Sequence, residues 1–352
     1  MITEAPAVAD IALDAKVALL RDPRTYPDSP RAITAIETHM SWVFLTETHA
    51  YKLKKPVRYP YLDFVSLDAR ERNCREEYRL NQRLAPGVYL GVVPLCRGDA
   101  NTARLEGVGR VIEWLVKMRR LPADRFLDHL IKAQTLTPGD VAPLAAVLVE
   151  FYREAAPIAV NADAHRARFC ATIRRNRDIL AAPQYRLPIK LVRGVHATLQ
   201  GLVESAPELF DRRVRDARII EGHGDLRPEH VCLEARPIVF DRLEFNRDLR
   251  IIDPAEELCF LSMECERLGA PFVKEILFDA YRHASGDAPP AALLDFYLAH
   301  RACVRARLAA LHINDAPRSR WPRWLLLAAE YLVIAASYCD CLTRDMAASS
   351  HR

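Results

Sequence analysis

Residues 221–246 read EGHGDLRPEHVCLEARPIVFDRLEFN, and this stretch carries most of the information about the fold. Its first half contains two glycines close together, which favours a loop over a helix. Two short apolar runs follow, VCL and PIVF, and both are typical of short strands. Asp241 comes directly after the second run. A hairpin formed by the two runs would bring Asp225, His230 and Asp241 to the ends of adjacent strands.

Two carboxylates and a third polar ligand form the set that phosphoryl transfer needs. One carboxylate orients the attacking hydroxyl and accepts its proton, and the other holds Mg²⁺ on the phosphates. In protein kinases an Asn follows the Asp of His-Arg-Asp by five residues, and a metal-binding Asp lies beyond the next hairpin. Here Asp225 and His230 keep that five-residue spacing, and Asp241 follows Asp225 by sixteen residues. The spacing predicts a phosphotransferase.

The string HGDL at 223–226, in place of His-Arg-Asp, resembles the aminoglycoside phosphotransferase and choline kinase relatives of protein kinases. The strings SWVFL at 41–45, YKLKKPV at 51–57 and FDRLEFN at 240–246 are similar to the kinase-like N-terminal half of bacterial bifunctional aminoglycoside phosphotransferase/ATP-binding proteins. The resemblance covers about residues 30–270. It implies ATP and Mg²⁺ as cofactors. It also implies an α+β, bilobal protein-kinase-like fold, with a small antiparallel-sheet N-lobe and a larger, mainly helical C-lobe.

The periodicity of the chain agrees with that organisation. Residues 1–30 are expected to form an N-terminal extension, 31–112 the N-lobe, 113–118 the hinge, and 119–352 the helical C-lobe with the catalytic loop at 221–246. Within the N-lobe, residues 35–45 read as one strand, 50–54 as the second strand of a hairpin, and 68–84 as a helix. Helical patterns in the C-lobe are expected at 141–154, 164–180, 189–202, 255–268, 271–283, 291–312 and 320–345.

The resemblance also implies roles for individual residues. Asp225 matches the catalytic base, and Asp241 matches the metal-binding carboxylate. His223 is expected to hydrogen-bond the backbone and hold the loop, and Arg227 belongs to the same catalytic loop. His230 stands where most kinases have Asn. It either ligates the metal, although Mg²⁺ prefers oxygen, or only hydrogen-bonds the catalytic Asp.

The nucleotide-binding residues follow in the same way. Lys52 resembles the strand lysine that contacts the α- and β-phosphates. Its ion-pair partner is Glu77 or Glu76, because one position of helical phase decides which carboxylate points inward. No glycine-rich loop is present, so backbone amides and the hydroxyls of Thr38 and Ser41 are expected to hold the phosphates. Backbone groups of Glu113 and Leu115 in the expected hinge are the candidates for adenine, unless residues 111–116 form an ordinary buried strand.

Composition sets limits on partners and location. Half of the 352 residues are hydrophobic and the net charge is only +4, which fits a folded protein without nucleic acid as a partner. Nine cysteines without a CxxC pair fit a reducing cytosol. The first 20 residues carry charges and lack a signal core. The apolar stretch 324–336 is interrupted by Glu330 and is expected to be too short to span a bilayer. We therefore expect a soluble cytoplasmic protein with no membrane partner.

The acceptor is the least determined part of the prediction. We expect a hydroxyl of a small molecule, either aminoglycoside-like, a sugar or another alcohol, because fold alone does not fix function. Carboxylates for a polycationic acceptor are available at Asp248, Glu264 and Glu266. The chain has no GxxxxGK[ST] motif, so the ATPase of the larger proteins is at most a separate partner. The alternative is a catalytically weak or inactive kinase-like module that binds nucleotide or a partner protein.

Overall fold

The computed structural model describes residues 11–59, 61–98 and 102–349. The chain divides into two units, which are described separately below. The first contains Met1–Arg125 and Ile238–Arg247, and the second contains Phe126–Pro237 and Asp248–Arg352. The segment that carries Asp241 therefore belongs to the first unit, whereas Asp225 belongs to the second.

An antiparallel sheet dominates the first unit. Its helices are α1 (Leu13–Leu20) and α2 (Leu67–Asn81), and its first eight strands are β1 (Thr34–Glu37), β2 (Ser41–Leu45), β3 (His49–Lys54), β4 (Arg58–Tyr59), β5 (Leu62–Asp63), β6 (Tyr89–Arg97), β7 (Ala103–Leu105) and β8 (Arg110–Arg119). Six of these strands form one sheet in the order β1-β2-β3-β8-β6-β7. The apolar residues of one sheet face form the core, including Phe44, Tyr51, Leu53, Leu95 and Leu115.

Two features of this unit correct the expectations. The segment 35–45 is not one strand, because the chain turns between β1 and β2 and the two strands pair with each other. The hinge expected at 113–118 lies in the interior of β8. Leu115 pairs with Leu53 of β3 on one side and Val93 of β6 on the other, so its backbone belongs to the sheet. The alternative of an ordinary buried strand is therefore the correct one.

The described part of the expected N-terminal extension belongs to the first unit. Val17 and Leu20 of α1 are buried in the same core as the sheet residues. Lys16, which is also buried, donates a 3.0 Å hydrogen bond to Glu113, and Arg70 of α2 contacts the same carboxylate at 2.8 Å. Three ionised groups are thus paired inside the unit, which meets the requirement that buried charges have partners.

The second unit is mainly helical. Its helices are α3 (Leu127–Lys132), α4 (Pro138–Glu154), α5 (Ala162–Leu180), α6 (Ile189–Ser205), α7 (Glu208–Arg215), α8 (Pro254–Leu268), α9 (Val273–Ser285), α10 (Ala291–Leu311) and α11 (Trp321–Ser349). Short strands β9 (Ile220–Glu221), β10 (Val231–Cys232) and β12 (Ile251–Ile252) also belong to this unit, and β11 (Ile238–Val239) belongs to the first. Capping residues mark several helix starts, such as Asn161 before α5 and Asp253 before α8. All seven expected helices are present, and the predicted α+β class is confirmed.

Helix α11 corresponds to the helix expected at 320–345 and continues to Ser349. Glu330 is exposed and lies inside the helix without ending it, because Glu is a good helix former. Within the described residues, the stretch Arg318–Arg344 is long and apolar enough to cross a membrane, which corrects the expectation of a short segment. About 33% of its most apolar window is buried, and a core helix of a soluble protein passes the same test. The buried residues recur at helical spacing, at Ala328, Tyr331, Leu332 and Ala335.

Candidate functional site

Lys52 lies at the centre of a charged cluster in the first unit. Its Nζ is 2.8 Å from Oε1 of Glu77 on α2 and 2.5 Å from Oδ1 of Asp241. Glu77 is fully buried, whereas Glu76 is partly exposed and pairs with Arg79. The structure therefore selects Glu77 as the partner of Lys52. The reason is helical phase, because the inward face of α2 carries Ala69, Arg70, Cys74, Glu77 and Asn81.

A second lysine extends this cluster. Lys54 is two residues after Lys52 on β3, so both side chains project from the same face of the strand. Its Nζ lies 2.6 Å from Oε2 of Glu77 and also contacts Glu244. One carboxylate oxygen of Glu77 thus binds each lysine. The charges alternate along the chain of contacts from Asp241 through Lys52, Glu77 and Lys54 to Glu244.

Asp241 adopts a backbone conformation that is unusual for a residue other than glycine. Its φ is +60°, in the left-handed region that Asp tolerates better than most residues. Neighbouring contacts hold it there. Its backbone amide donates to the hydroxyl of Tyr89 at 3.1 Å, and the amide of Arg242 donates to Oδ1 of Asn81 at 3.0 Å. A strained backbone conformation persists only where the surrounding structure holds it in place, and such residues are often found at functional sites.

Burial and mutual attraction compete in setting the charges of this cluster. Burial opposes the charged form of Lys52, but Asp241 and Glu77 outweigh it and hold the pKa of Lys52 well above its usual value. Burial also opposes the charged form of Lys54, but Glu244 and Glu77 outweigh it and raise the pKa of that lysine. Burial is the main influence on Glu244, and the pKa of that carboxyl is raised despite the two lysines. Both lysines are therefore cations at neutral pH.

The loop with the sequence GHGD lies in the second unit, where Glu257 of α8 fixes its backbone. The amides of His223 and Gly224 donate to the two carboxylate oxygens of Glu257, at 3.1 and 2.7 Å, and Tyr152 donates to the same carboxylate at 3.0 Å. Gly222 approaches this carboxylate so closely that a Cβ would lie 2.9 Å from its oxygens. Gly224 has φ +88°, which favours glycine. Glycine is therefore favoured at the two positions for different reasons, a close approach at Gly222 and a positive φ at Gly224.

Asp225 is held by the residues that follow it in the same loop. Nε of Arg227 donates to Oδ2 of Asp225 at 3.1 Å, and Nη2 of Arg227 lies 3.0 Å from Nε2 of His230. A guanidinium only donates, so Nε2 of His230 accepts and its proton lies on Nδ1. Nδ1 then donates to the backbone carbonyl of Asp225 at 2.8 Å. Both ring nitrogens are engaged, which favours the positioning role of His230 over the metal-binding role.

The environment of Asp225 keeps it ionised. Burial raises its pKa, but Arg227, His230, Arg305 and His223 together outweigh burial and hold the pKa below its usual value. The buried ring of His223 accepts a 3.2 Å hydrogen bond from the amide of Asp225, as the sequence predicted for a loop-holding histidine. A carboxylate that is charged and about one-third exposed is able to accept a hydrogen bond from a hydroxyl.

The other expected nucleotide-binding residues have structural partners as well. Thr38 closes the β1–β2 turn, since its hydroxyl donates to the carbonyl of Ser41 at 2.9 Å and accepts from the amide of Ser41 at 3.0 Å. The Ser41 residue is buried. The carboxylate of Glu113 pairs with Lys16 and Arg70, and Leu115 is fully buried in the core. Glu113 and Leu115 are therefore parts of the sheet interior, and a role for them in binding adenine is not favoured.

The donor chemistry at Asp241 fits magnesium. In the described part of the chain, no three or more His, Cys, Asp or Glu side chains are arranged as a metal-binding group. However, Mg²⁺ is commonly bound by only one or two carboxylates together with phosphates and water. The side chain of Asp241 is 34% exposed, and oxygen is the ligand type that Mg²⁺ prefers. Asp241 is thus suited to hold Mg²⁺ in the presence of a nucleotide.

Several members of the site were missed by sequence reasoning. Lys54, Tyr89 and Asn81 were not singled out, although two of them carried a signal. Lys54 shares the strand face of Lys52, and Asn81 follows Glu77 by four residues, so it shares the inward face of α2. Tyr89 carried no local signal, because its contact with Asp241 joins residues that are 152 positions apart.

Solved structures with the same arrangement of elements identify the fold. The GDP complex of wild-type aminoglycoside 2′-phosphotransferase-IIIa has a TM-score of 0.54 at 13% identity, over 92% of this chain and 99% of that chain. Choline kinase from Cryptosporidium parvum Iowa II has a TM-score of 0.57 at 8% identity, over 94% of this chain and 97% of that chain. The chain has the fold of aminoglycoside phosphotransferases and choline kinases. The resemblance drawn from the HGDL string is confirmed at this level.

Two curated sequences are similar over most of the chain. The uncharacterized protein Rv2004c of Mycobacterium tuberculosis (strain ATCC 25618 / H37Rv) is 30% identical over 320 residues, or 88% of this chain. The uncharacterized protein Mb2027c of Mycobacterium bovis gives the same values. The chain spans about 60% of the length of these relatives. No protein-family model matches the sequence.

Proposed function

We propose that this protein transfers the γ-phosphoryl group of ATP to a hydroxyl of a small molecule. The observation that carries the proposal is the position of Lys52, whose Nζ binds both Glu77 and Asp241. Phosphotransferases of this kind need a cation for the nucleotide phosphates beside a carboxylate for Mg²⁺, and this arrangement supplies both. The small-molecule kinases that share the fold make the same class of reaction the simplest interpretation.

Each charged residue then has a defined task. Lys52 neutralises phosphate charge, and Glu77 holds its ammonium group in place. Asp241 binds Mg²⁺, which when bound supplies charge neutralisation at the phosphates. Asp225 orients the acceptor hydroxyl and accepts its proton, which is needed only late because the transition state is loose. Arg227 and His230 keep Asp225 ionised and fixed. The amides of Thr38 and Ser41 are bonded within their own turn, so phosphate binding there would fall to the backbone between them, at residues 39 and 40.

A nucleotide-binding module without transfer activity is the second candidate. The engagement of both His230 ring nitrogens favours it, because the kinase position for a second metal ligand then has no available donor. Both candidates bind nucleotide, so only turnover separates them. We expect the active alternative, and we expect it to act as a soluble cytoplasmic enzyme.

The test is a screen for ADP release with small hydroxyl compounds, performed on the wild type and on Asp225→Asn. We expect Asp225→Asn to lose about 10²- to 10⁴-fold in rate while it still binds ATP, since the change removes a proton acceptor and leaves the first unit intact. Asp216→Asn, at an exposed position on the same unit, serves as the control. Full activity in Asp225→Asn would overturn the assignment of the base.

A further inference from the structure

Two arginines in the second unit share one buried carboxylate. Glu264 of α8 is fully buried, and its Oε1 accepts from Nε of Arg305 at 2.7 Å. Its Oε2 accepts from Nε of Arg267 at 3.1 Å. The hydroxyl of Tyr331 on α11 lies 2.8 Å from both oxygens. Both oxygens of the Glu264 carboxylate thus accept hydrogen bonds, and each arginine is held through its Nε atom.

The outer nitrogens of the same arginines are available. Within the described residues, the Nη atoms of Arg305 and Arg267 make no hydrogen bond, and the side chains are only 19% and 18% exposed. Both guanidinium groups also lie over the ring of Tyr331, at 5.5 and 5.1 Å from its centroid. Arginines that are held in place with free terminal nitrogens are suited to bind a carboxylate or a phosphate with two hydrogen bonds.

The turn Pro228–His230, which follows Asp225 in its loop, contacts α8, the helix that carries Glu264 and Arg267. Arg305 is one of the cations that lower the pKa of Asp225, and Asp225 in turn is one of the groups that raise the pKa of Arg305. Arg227 is affected by both of these groups, since Asp225 raises its pKa and Arg305 lowers it. A ligand held by Arg305 therefore lies in the electrostatic reach of Asp225.

The available donors, and not a net charge, favour an anion over a polycation. Arg305, Arg267 and Arg227 face the three carboxylates of Glu264, Asp225 and Glu229, so the local charges balance, and the groups left to bind a ligand include the Nη atoms of Arg305 and Arg267. Glu264, a candidate for an aminoglycoside, is buried and fully bonded, and Glu266 pairs with the hydroxyl of Tyr338.

One carboxylate remains near this site. Glu229 has a buried Oε2 without a hydrogen-bond partner in the described part of the chain, at 3.9 Å from Nη1 of Arg227. A buried acceptor of this kind costs free energy until a donor reaches it. A hydroxyl or ammonium donor of a ligand would satisfy it.

We propose that Arg305 and Arg267 bind an anionic group of the acceptor, so that the acceptor is a hydroxylated carboxylate or phosphate ester. This inference rests on the proposed phosphotransferase function, for which it names the substrate class. The anionic group binds the Nη atoms of the two arginines, and a hydroxyl of the same molecule reaches Asp225. Polycationic aminoglycosides are then poor acceptors.

The test is calorimetric titration in the absence of nucleotide, with D-gluconate, D-glucose 6-phosphate, D-glucose and kanamycin as probes. Gluconate and glucose 6-phosphate distinguish a carboxylate site from a phosphate site, and glucose is the neutral counterpart. We expect at least one anion to bind more tightly than glucose and kanamycin. We expect Arg305→Gln and Arg267→Gln each to weaken that binding by roughly tenfold or more, because each removes charge-assisted hydrogen bonds.

Controls separate binding from folding and from the proposed function. Arg305→Lys keeps a cation beside Glu264 but loses the planar fork, so we expect it to fold and to bind the anion more weakly. Arg282→Gln, at an exposed position of α9, should bind the anion as the wild type does. Equal binding of glucose and both anions, tighter binding of kanamycin, or unchanged anion affinity in both Gln variants would overturn the inference. If stabilisation by Mg²⁺–ATP persists in that case, the proposed function stands, whereas its absence overturns that function separately.

Discussion

Lys52 and Glu77 are joined by a 2.8 Å ion pair between β3 and α2, although 25 positions separate them in the chain. Glu77 uses its other oxygen for Lys54, so one carboxylate fixes both lysines of the strand. The pair is fully buried on the Glu77 side, where loss of one partner leaves an uncompensated charge. Glu77 is therefore a structural residue, and under the proposed function it also positions Lys52 for the nucleotide phosphates.

Substitutions at Glu77 and at its neighbour Glu76 should differ in their effect on stability. We expect Glu77→Gln to lower the free energy of unfolding by about 3–5 kcal/mol, because two buried ammonium groups lose their shared partner. Glu76→Gln should change it by no more than about 1 kcal/mol, because Glu76 pairs with Arg79 at the surface. Urea denaturation of both variants measures the difference. Equal losses of stability would contradict the assignment of Glu77.

Replacement of Arg227 tests the charge of Asp225. Under the proposed function Asp225 acts as a carboxylate, so the rate should fall when the pH drops through the pKa of Asp225. Arg227 lowers that pKa, and its removal should raise it. We therefore expect the acid limb of the kcat/KM profile to move to higher pH in Arg227→Gln.

The matched control for this change is Arg236→Gln, at an exposed position of the same unit, where Arg236 pairs with Glu150. Its acid limb should coincide with that of the wild type. An unshifted limb in Arg227→Gln would show that another group, and not Asp225, controls the rate at low pH.

Substitution by alanine at two glycines of the second unit should have opposite effects on stability. In Gly222→Ala the new Cβ would lie 2.6 Å from Cγ2 of Ile252, so we expect a loss of about 1–3 kcal/mol in stability. Gly201 lies inside α6, and apart from its chain neighbours and the backbone of its own helix no atom lies within 4 Å of the position that a Cβ would take there. Gly201→Ala should therefore stabilise the chain by about 0.5–1 kcal/mol. Thermal unfolding followed by circular dichroism measures both changes. Destabilisation by Gly201→Ala or tolerance of Gly222→Ala would contradict this account.

Much of the fold could be predicted from local patterns. The helices have clear periodicity, and the HGDL loop has a fixed spacing to Asp241, so class and order of elements followed from the sequence. The helical periodicity of α2 left two neighbouring candidates, Glu76 and Glu77, for the inward position. The packing of the helix shows that Glu77 occupies it. The β1–β2 turn was missed because Thr38 closes it by its own hydroxyl in a stretch without glycine or proline.

Contacts between residues that are far apart in the chain could not be predicted from the sequence. The hinge at 113–118 looked plausible because buried strands and hinges are both apolar, and only the pairing of β8 with β3 and β6 decided the matter. The contact of Tyr89 with Asp241 and the sharing of Glu264 by Arg267 and Arg305 join distant segments. No local periodicity encodes such contacts.

The proposed function depends on the claim that Asp241 helps to bind Mg²⁺ and nucleotide, and a thermal-shift titration with ATP tests this. The titration is performed with and without Mg²⁺ on the wild type, on Asp241→Asn, and on Asp163→Asn as a control at an exposed position. Asn tolerates the left-handed backbone conformation of residue 241, so the change removes charge with little added strain. We predict a Mg²⁺-dependent stabilisation of the wild type and the control, about 2.7 kcal/mol at a hundredfold excess over Kd, that is lost in Asp241→Asn. No shift with ATP, or an equal Mg²⁺-dependent shift in Asp241→Asn, would contradict the claim.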